Sequence, residues 1–229
     1  MRDRLRKPSP LPLVAPSILA ADFGKIAAEC QSVLDAGADL LHLDVMDGHF
    51  VPNLTMGPDM CRAVRRHFPD ACLDVHMMVT DPGDFFEAFA EAGADHLTFH
   101  VEAMETPTEA RDLAEEIHDL GLTAGLALSA ATPLSSVIDL AQFFEMVLVM
   151  TIQPGFSGQP FQKDALTKAV ALRKKLGPDY WIEVDGGISP ETAAIARNSG
   201  CNVLAAASAI YGHAPSERGG VIAALRGSE

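Results

Sequence analysis

The stretch AGADLLHLDVM, residues 36–46, is echoed by AGADHLTFHV at 92–101. In each, a glycine follows a stretch of helical period and opens onto a short apolar run. Glycine suits the left-handed position that closes a helix, and a short apolar run is how a strand reads when both faces of its sheet are covered. The unit is therefore helix, glycine joint, strand. Leu120-Gly121-Leu122 and Ser199-Gly200-Cys201 repeat the joint, and Gly37, Gly93 and Gly121 are spaced by multiples of about 28 residues.

Working outward from these joints, apolar runs occur at 13–19, 40–46, 72–78, 97–101, 123–128, 146–151, 181–185 and 203–207, with helical stretches expected between them. Eight strand-then-helix units of this length predict a single α/β domain over residues 13–229, a (β/α)8 TIM barrel. The alternative is a doubly wound open sheet. That fold usually announces itself by a Gly-rich turn after its first strand, and this chain has none there.

Composition narrows the function. Of 229 residues 48% are apolar, enough to bury a sizeable core, and 17 Lys and Arg stand against 31 Asp and Glu for a formal charge of −14. Such a surface argues against nucleic acid or an anionic membrane as a partner, so any phosphate must be gripped locally. Cys30, Cys61, Cys72 and Cys201 show no CxxC spacing and read as reduced, buried thiols of a cytoplasmic protein. No uncharged apolar run approaches the roughly 20 residues that a membrane span needs. Residues 1–12, MRDRLRKPSPLP, carry basic side chains and prolines but no apolar signal segment, and are expected to form a flexible leader.

Active sites of such barrels lie at the C-terminal strand ends, and side chains at i and i+2 share a face. His42 and Asp44 share one face of the second run with Met46 beyond them; Asp74, His76 and Met78 share one face of the third. With Asp185 of Glu183-Val184-Asp185-Gly186-Gly187, the residues His42, Asp44, His76 and Asp185 offer two imidazoles and two carboxylates. That N/O set suits zinc, iron, manganese or cobalt rather than calcium. A divalent cation would also offset the cost of burying two carboxylates together. Asp74 is expected to orient His76 by a hydrogen bond. His100 reads as a core histidine, with an outer-sphere or substrate role as the alternative, and His49, His67, His96, His118 and His213 have no supporting neighbours.

Gln153-Pro154-Gly155-Phe156-Ser157-Gly158 follows the sixth run, Gly186-Gly187 the seventh, and Ala207-Ser208 ends the eighth. Three small-residue loops at the last strands of a barrel are where backbone N–H groups cradle phosphate.

With these residues in view, the chain closely resembles the ribulose-phosphate 3-epimerase family from Ala15-Pro16-Ser17 to Ser208-Ala209-Ile210. The most specific segments are LHLDVMDGHFVPN at 41–53, DVHMMV at 74–79, VMTIQPGFSGQ at 149–159 and IEVDGGI at 182–188. The resemblance implies an isomerase of the pentose phosphate pathway that interconverts D-ribulose 5-phosphate and D-xylulose 5-phosphate. It implies one divalent metal ion on His42, Asp44, His76 and Asp185, with Asp44 and Asp185 also the acid/base pair and a metal-stabilised enediolate between them. Ser17 and His76 match substrate contacts, and Met46, Met78 and Met150 match methionines that wall the pocket. Gly155, Phe156, Ser157, Gly158, Gly186, Gly187, Ala207 and Ser208 match the phosphate cradle. A homo-oligomer acting on a small sugar phosphate is expected.

Ser129-Ala130 replaces a common Asn-Pro, Ala207 a common glycine, and Ser157 another. These departures leave open an epimerase of a hexulose phosphate such as D-allulose 6-phosphate. A catalytically silent barrel that binds a phosphorylated ligand is the rival of another class. The related barrel decarboxylases need a DxKxxD run, which is absent.

Overall fold

The computed structural model describes residues 2–156 and 158–228. Each apolar run becomes a buried strand: β1 (Leu13–Pro16), β2 (Leu41–Met46), β3 (Leu73–Met78), β4 (His96–His100), β5 (Thr123–Leu128), β6 (Met146–Met150), β7 (Trp181–Asp185) and β8 (Val203–Ala206). All pair in parallel in the order β1-β8-β7-β6-β5-β4-β3-β2, the nearly closed barrel that the sequence predicts. The joint between β1 and β2 carries no ladder beyond an isolated bridge from Ser17 to His42. Sequence accounts for this. Alternate backbone groups of β1 face β8, with the N–H of Leu13 on Asn202 and that of Ser17 on Ala206, which leaves Val14 and Pro16 to face β2. Proline has no N–H to give.

Helices α1 (Ile26–Asp35), α2 (Pro58–His67), α3 (Phe86–Ala92), α4 (Pro107–Asp119), α5 (Leu166–Leu176), α6 (Pro190–Asn198), α7 (Ser208–Tyr211) and α8 (Arg218–Arg226) cover the outside. Their inward residues join the strands' outward ones in one continuous core. The glycine joints are left-handed: Gly93 has φ 96° and Gly200 has φ 99°. A Cβ at Gly93 would stand 2.7 Å from Arg65, and one at Gly200 would stand 2.8 Å from Arg173. Between β5 and β6 the expected helix is missing. That connection carries only two 3-10 turns, at Leu134–Ser136 and Ala141–Phe143, because Pro133 keeps the residues ahead of it out of a helix. The first run is also shorter than expected, since Ser17 caps a 3-10 turn at Ile18–Ala20.

At the floor of the barrel one device recurs. The residue just ahead of each even strand donates its N–H to the preceding odd strand and accepts that strand's N–H on its side chain. Asp39 does so with Val14, Asp95 with Leu73, Glu145 with Ala124 and Asn202 with Ile182, at 2.8–3.0 Å.

The leader expected to be flexible packs beneath this floor. Leu5 is 3% exposed and seats among Leu13, Leu40, Cys72, Met146, Trp181 and Val203. The Trp181 indole N–H donates to the Leu5 carbonyl at 2.9 Å. Arg2 pairs with Asp95 at 2.8 Å and Arg4 with Asp39 at 2.7 Å. The basic composition that reads as a solvated tail is matched by the acidic strand-start residues above it.

Candidate active site

Strand parity delivers the polar cluster: β2 brings His42 and Asp44 inward, β3 Asp74 and His76, and β7 Glu183 and Asp185. Register sets His42 opposite Asp74 and Asp44 opposite His76. The His42 Nδ1 lies 2.7 Å from Asp74 Oδ2, so it carries the proton and donates. Its Nε2 is buried without a hydrogen-bond partner and faces Asp44 Oδ1 at 3.4 Å. Asp74 thus orients His42, not His76 as the sequence suggested.

His76 is held from elsewhere. Its Nε2 lies 2.9 Å from His100 Nε2, and His100 Nδ1 lies 2.9 Å from Glu102 Oε2. An ionised carboxylate only accepts, so His100 donates from Nδ1 and accepts at Nε2, and His76 must donate from Nε2. The His76 Nδ1 is then a bare lone pair, 3.0 Å from Asp44 Oδ1 and 3.7 Å from Asp185 Oδ2. One ligand atom from each of His42, Asp44, His76 and Asp185 lies within 4.8 Å of the others. Electron-rich atoms converging without hydrogens between them repel unless a cation joins them. The orphaned Nε2 and the two-nitrogen, two-oxygen donor set therefore fit a divalent metal of the zinc, iron, manganese or cobalt kind.

The electrostatics agree. Burial works against a charge on His42, but Asp74, Asp44 and Glu183 overcome it and lift the imidazole well above its usual range. The field asks for positive charge at this spot, as a proton on His42 or a cation beside it. Burial, the largest influence on His76, pushes its imidazole down to about 4. The two acid/base candidates differ. Burial opposes a charge on Asp44, yet the charge favoured on His42 outweighs it and holds that carboxyl well below the usual carboxylate range. Burial, with the negative Asp44 beside it, pushes Asp185 up to about 7.

Glu183 escaped the sequence reading. It is fully buried two residues before Asp185, on the same face, 3.5 Å from His42 Nδ1. Burial first and Asp74 second push its carboxyl well above the usual range. Parity with Asp185 was the signal that could have found it. His100, read as a core histidine, is buried but touches His76, and His96 is bonded to Thr123 at 2.8 Å and Thr98 at 3.0 Å.

Above the cluster opens a cavity of about 310 Å³. Asp44, Met46, Met78, Met150, Gly155, Phe156, Gly158, Asp185, Gly186, Gly187, Ala207 and Ser208 line it, together with Leu19, Ile152, Ile188, Ser189, Ala205 and Ala209, which were not foreseen. Ser17 does not line it, but is buried and donates its hydroxyl to Asp44, which does. Ser157 lies outside the described residues. Ala207 has φ −104°, so the alanine that replaces a common glycine sits without the left-handed strain that its Cβ would resist. Gly186 does need to be glycine: at φ 111°, a Cβ would stand 2.4 Å from Ile152. Ser129-Ala130 is outside the cavity wall.

The mouth loops are tied to one another. Asp47, after β2, accepts from the N–H groups of His49, Phe50 and Thr80 at 2.8 Å and from the Thr80 hydroxyl at 3.0 Å. Asn53 donates to the Gly155 carbonyl at 2.8 Å.

Comparison with known proteins agrees with this geometry. Residues 13–211 match the family model of the Ribulose-phosphate 3 epimerase family. A ribulose-phosphate 3-epimerase of Oryza sativa subsp. japonica, named as a cytoplasmic isoform, is 45% identical over 94% of this chain and 93% of its own. The ribulose-phosphate 3-epimerase of Bacillus subtilis strain 168 is 43% identical over 94% of this chain and 99% of its own. Among solved structures, a 3-keto-L-gulonate-6-phosphate decarboxylase from Vibrio cholerae superposes with TM-score 0.71 at 17% identity, covering 95% of this chain and 96% of that one. At that identity the likeness speaks for the barrel alone. The match across nearly the whole barrel, at identities above two in five, shows that the chain belongs to the ribulose-phosphate 3-epimerase family and is an isomerase.

Proposed function

We propose that the chain inverts the carbinol carbon next to the ketone of D-ribulose 5-phosphate, giving D-xylulose 5-phosphate, by two-base proton transfer between Asp44 and Asp185. The observation that carries this reading is the convergence of those two carboxylates, in unlike electrostatic settings, at the base of one cavity. Inversion needs a proton taken from one face of the carbon and another returned to the opposite face, and the groups must begin the turnover in different protonation states. A low carboxyl from β2 and a raised one from β7 meet that requirement. His42, Asp44, His76 and Asp185 would hold one divalent cation, which supplies Lewis-acid stabilisation of negative charge developing on the substrate's oxygens. Ser17, donating to Asp44, fixes the direction of that carboxylate. Met46, Met78 and Met150 wall the sugar and exclude water. Gly155, Gly158, Gly186, Gly187, Ala207 and Ser208 line the same cavity, which supports reading their backbone N–H groups as the phosphate cradle that a chain of charge −14 must supply locally.

The names of the curated relatives favour the pentulose phosphate over a hexulose phosphate, and the cytoplasmic rice relative supports a cytoplasmic setting. Among the described residues no helix is long and apolar enough to cross a membrane. Asp44→Asn and Asp185→Asn should each lower turnover by about 10²–10⁴-fold. Native enzyme in deuterated water should place solvent deuterium at the inverted carbon. Full activity in either variant would sink the two-base reading, and faster turnover of D-allulose 6-phosphate than of D-ribulose 5-phosphate would reassign the sugar.

A further inference from the structure

His100 and Glu102 do not reach the cavity, yet they end a relay that starts at His76. The His76 and His100 ring centroids are 5.1 Å apart with planes differing by 25°, while the two Nε2 atoms are 2.9 Å apart. The rings therefore meet edge to edge, nitrogen to nitrogen, as a hydrogen bond requires. His100 is fully buried, with Phe50 across its face at 5.0 Å. Glu102 accepts from His100 on one oxygen. On the other it accepts the Ser129 N–H at 2.7 Å and the Thr132 hydroxyl. Burial alone would raise this carboxyl, but His100, Thr132 and Ser129 outweigh it and hold it down at about 2. Lys168 pins the same loop by donating to the carbonyls of Ser129 at 2.8 Å and Ala130 at 2.7 Å.

We propose that His100 and Glu102 are positioning residues for the cation site, holding the proton of His76 on Nε2 so that its Nδ1 faces Asp44 and Asp185 as a bare ligand atom. An imidazole without an acceptor behind it is free to carry its proton on either nitrogen and to turn about its own axis. A buried acceptor removes both freedoms before any cation arrives. The backbone of Ser129-Ala130 anchors the far end of this chain of hydrogen bonds, a contact that does not depend on their side chains. This inference rests on the reading of His42, Asp44, His76 and Asp185 as a cation site.

The test is Mn(II) affinity of chelator-stripped protein, without substrate, by competition with a chromophoric chelator, for native protein, His100→Leu and His100→Gln. Leucine keeps the packing and removes the acceptor, while glutamine places an amide oxygen where His100 Nε2 stood. His100→Leu should bind Mn(II) about ten- to hundredfold more weakly. His100→Gln should recover most of the loss, and the visible spectrum of Co(II)-loaded protein should change in the leucine variant alone. Native protein that binds no Mn(II) overturns the cation-site reading itself. Native protein that binds, with His100→Leu binding equally well, overturns only the relay, as does a glutamine variant no better than the leucine one. Should His100→Leu fail to fold, Glu102→Gln carries the test. Its single amide oxygen cannot serve both His100 and Ser129, so weakened Mn(II) binding supports the relay and unchanged binding overturns it.

Discussion

At the scale of single residues, Asp47 shows how one carboxylate organises the mouth. Burial is the largest single influence and opposes its charge, but the N–H groups of Thr80, His49 and Phe50 and the Thr80 hydroxyl together outweigh it and lower the carboxyl to about 2. A depressed folded value means that the stabilisation is complete above the ordinary 3.8 and is lost as pH falls through about 2. Asp47→Asn would turn an amide N–H toward Thr80 and forfeit those bonds. Native protein should therefore outlast Asp47→Asn in thermal unfolding at neutral pH, by a margin that shrinks between pH 3.8 and about 2. A margin independent of pH across that window would refute the assignment. The four candidate ligands were legible because strand parity is a property of one strand at a time. The partner of Asp74 was not, because it depends on the register between strands, which sets Asp74 opposite His42. Glu183 was missed, and His100 was read as core with an outer-sphere role only as the alternative, for a similar reason: a polar strand residue shows its purpose only when the neighbouring strand is in place.

At the scale of elements, the floor device fastens each odd strand to the even one that follows, so the polar residue ahead of an even strand contributes to the barrel rather than to a loop. Asp95 accepts the Leu73 N–H and two arginines, Arg65 at 2.5 Å and Arg2 at 2.8 Å. Asp95→Ala would strand that N–H and remove both ion pairs, while Arg65 keeps its bonds to the carbonyls of Gly93, Phe68, Pro69 and Ala71. A loss of about 1–3 kcal/mol is expected for the buried donor, read as a lower urea midpoint with an unchanged slope. An unchanged midpoint would show that water satisfies the group. Strand identities and glycine joints were readable because apolar runs and left-handed helix ends leave local marks. The missing helix between β5 and β6 was not anticipated, since the periodic pattern of its neighbours was extended across Pro133.

At the scale of the whole molecule, chemistry and support occupy opposite ends of the barrel. The mouth holds the cluster and the cavity, and the floor holds the leader, whose Leu5 is covered by strand-start residues. Burying a leucine contributes about 1.5–3 kcal/mol, part of which is offset by the entropy of ordering the segment. Deleting residues 2–10 should lower the thermal midpoint and red-shift the emission of Trp181, the one tryptophan of the sequence, while turnover per folded molecule stays the same. Emission at the native wavelength would show that the indole does not depend on Leu5. The remaining feature is the joint between β1 and β2. Seven of the barrel's joints are backbone ladders, which pH and salt scarcely touch. The eighth, where Pro16 has nothing to donate, is buckled by side chains: Asp39 with Val14, Arg4 and Arg226 at one end, and Ser17 with Asp44 at the other. The ring is thus closed chemically at one place, and the upper half of that buckle is the carboxylate to which we assign the proton transfer.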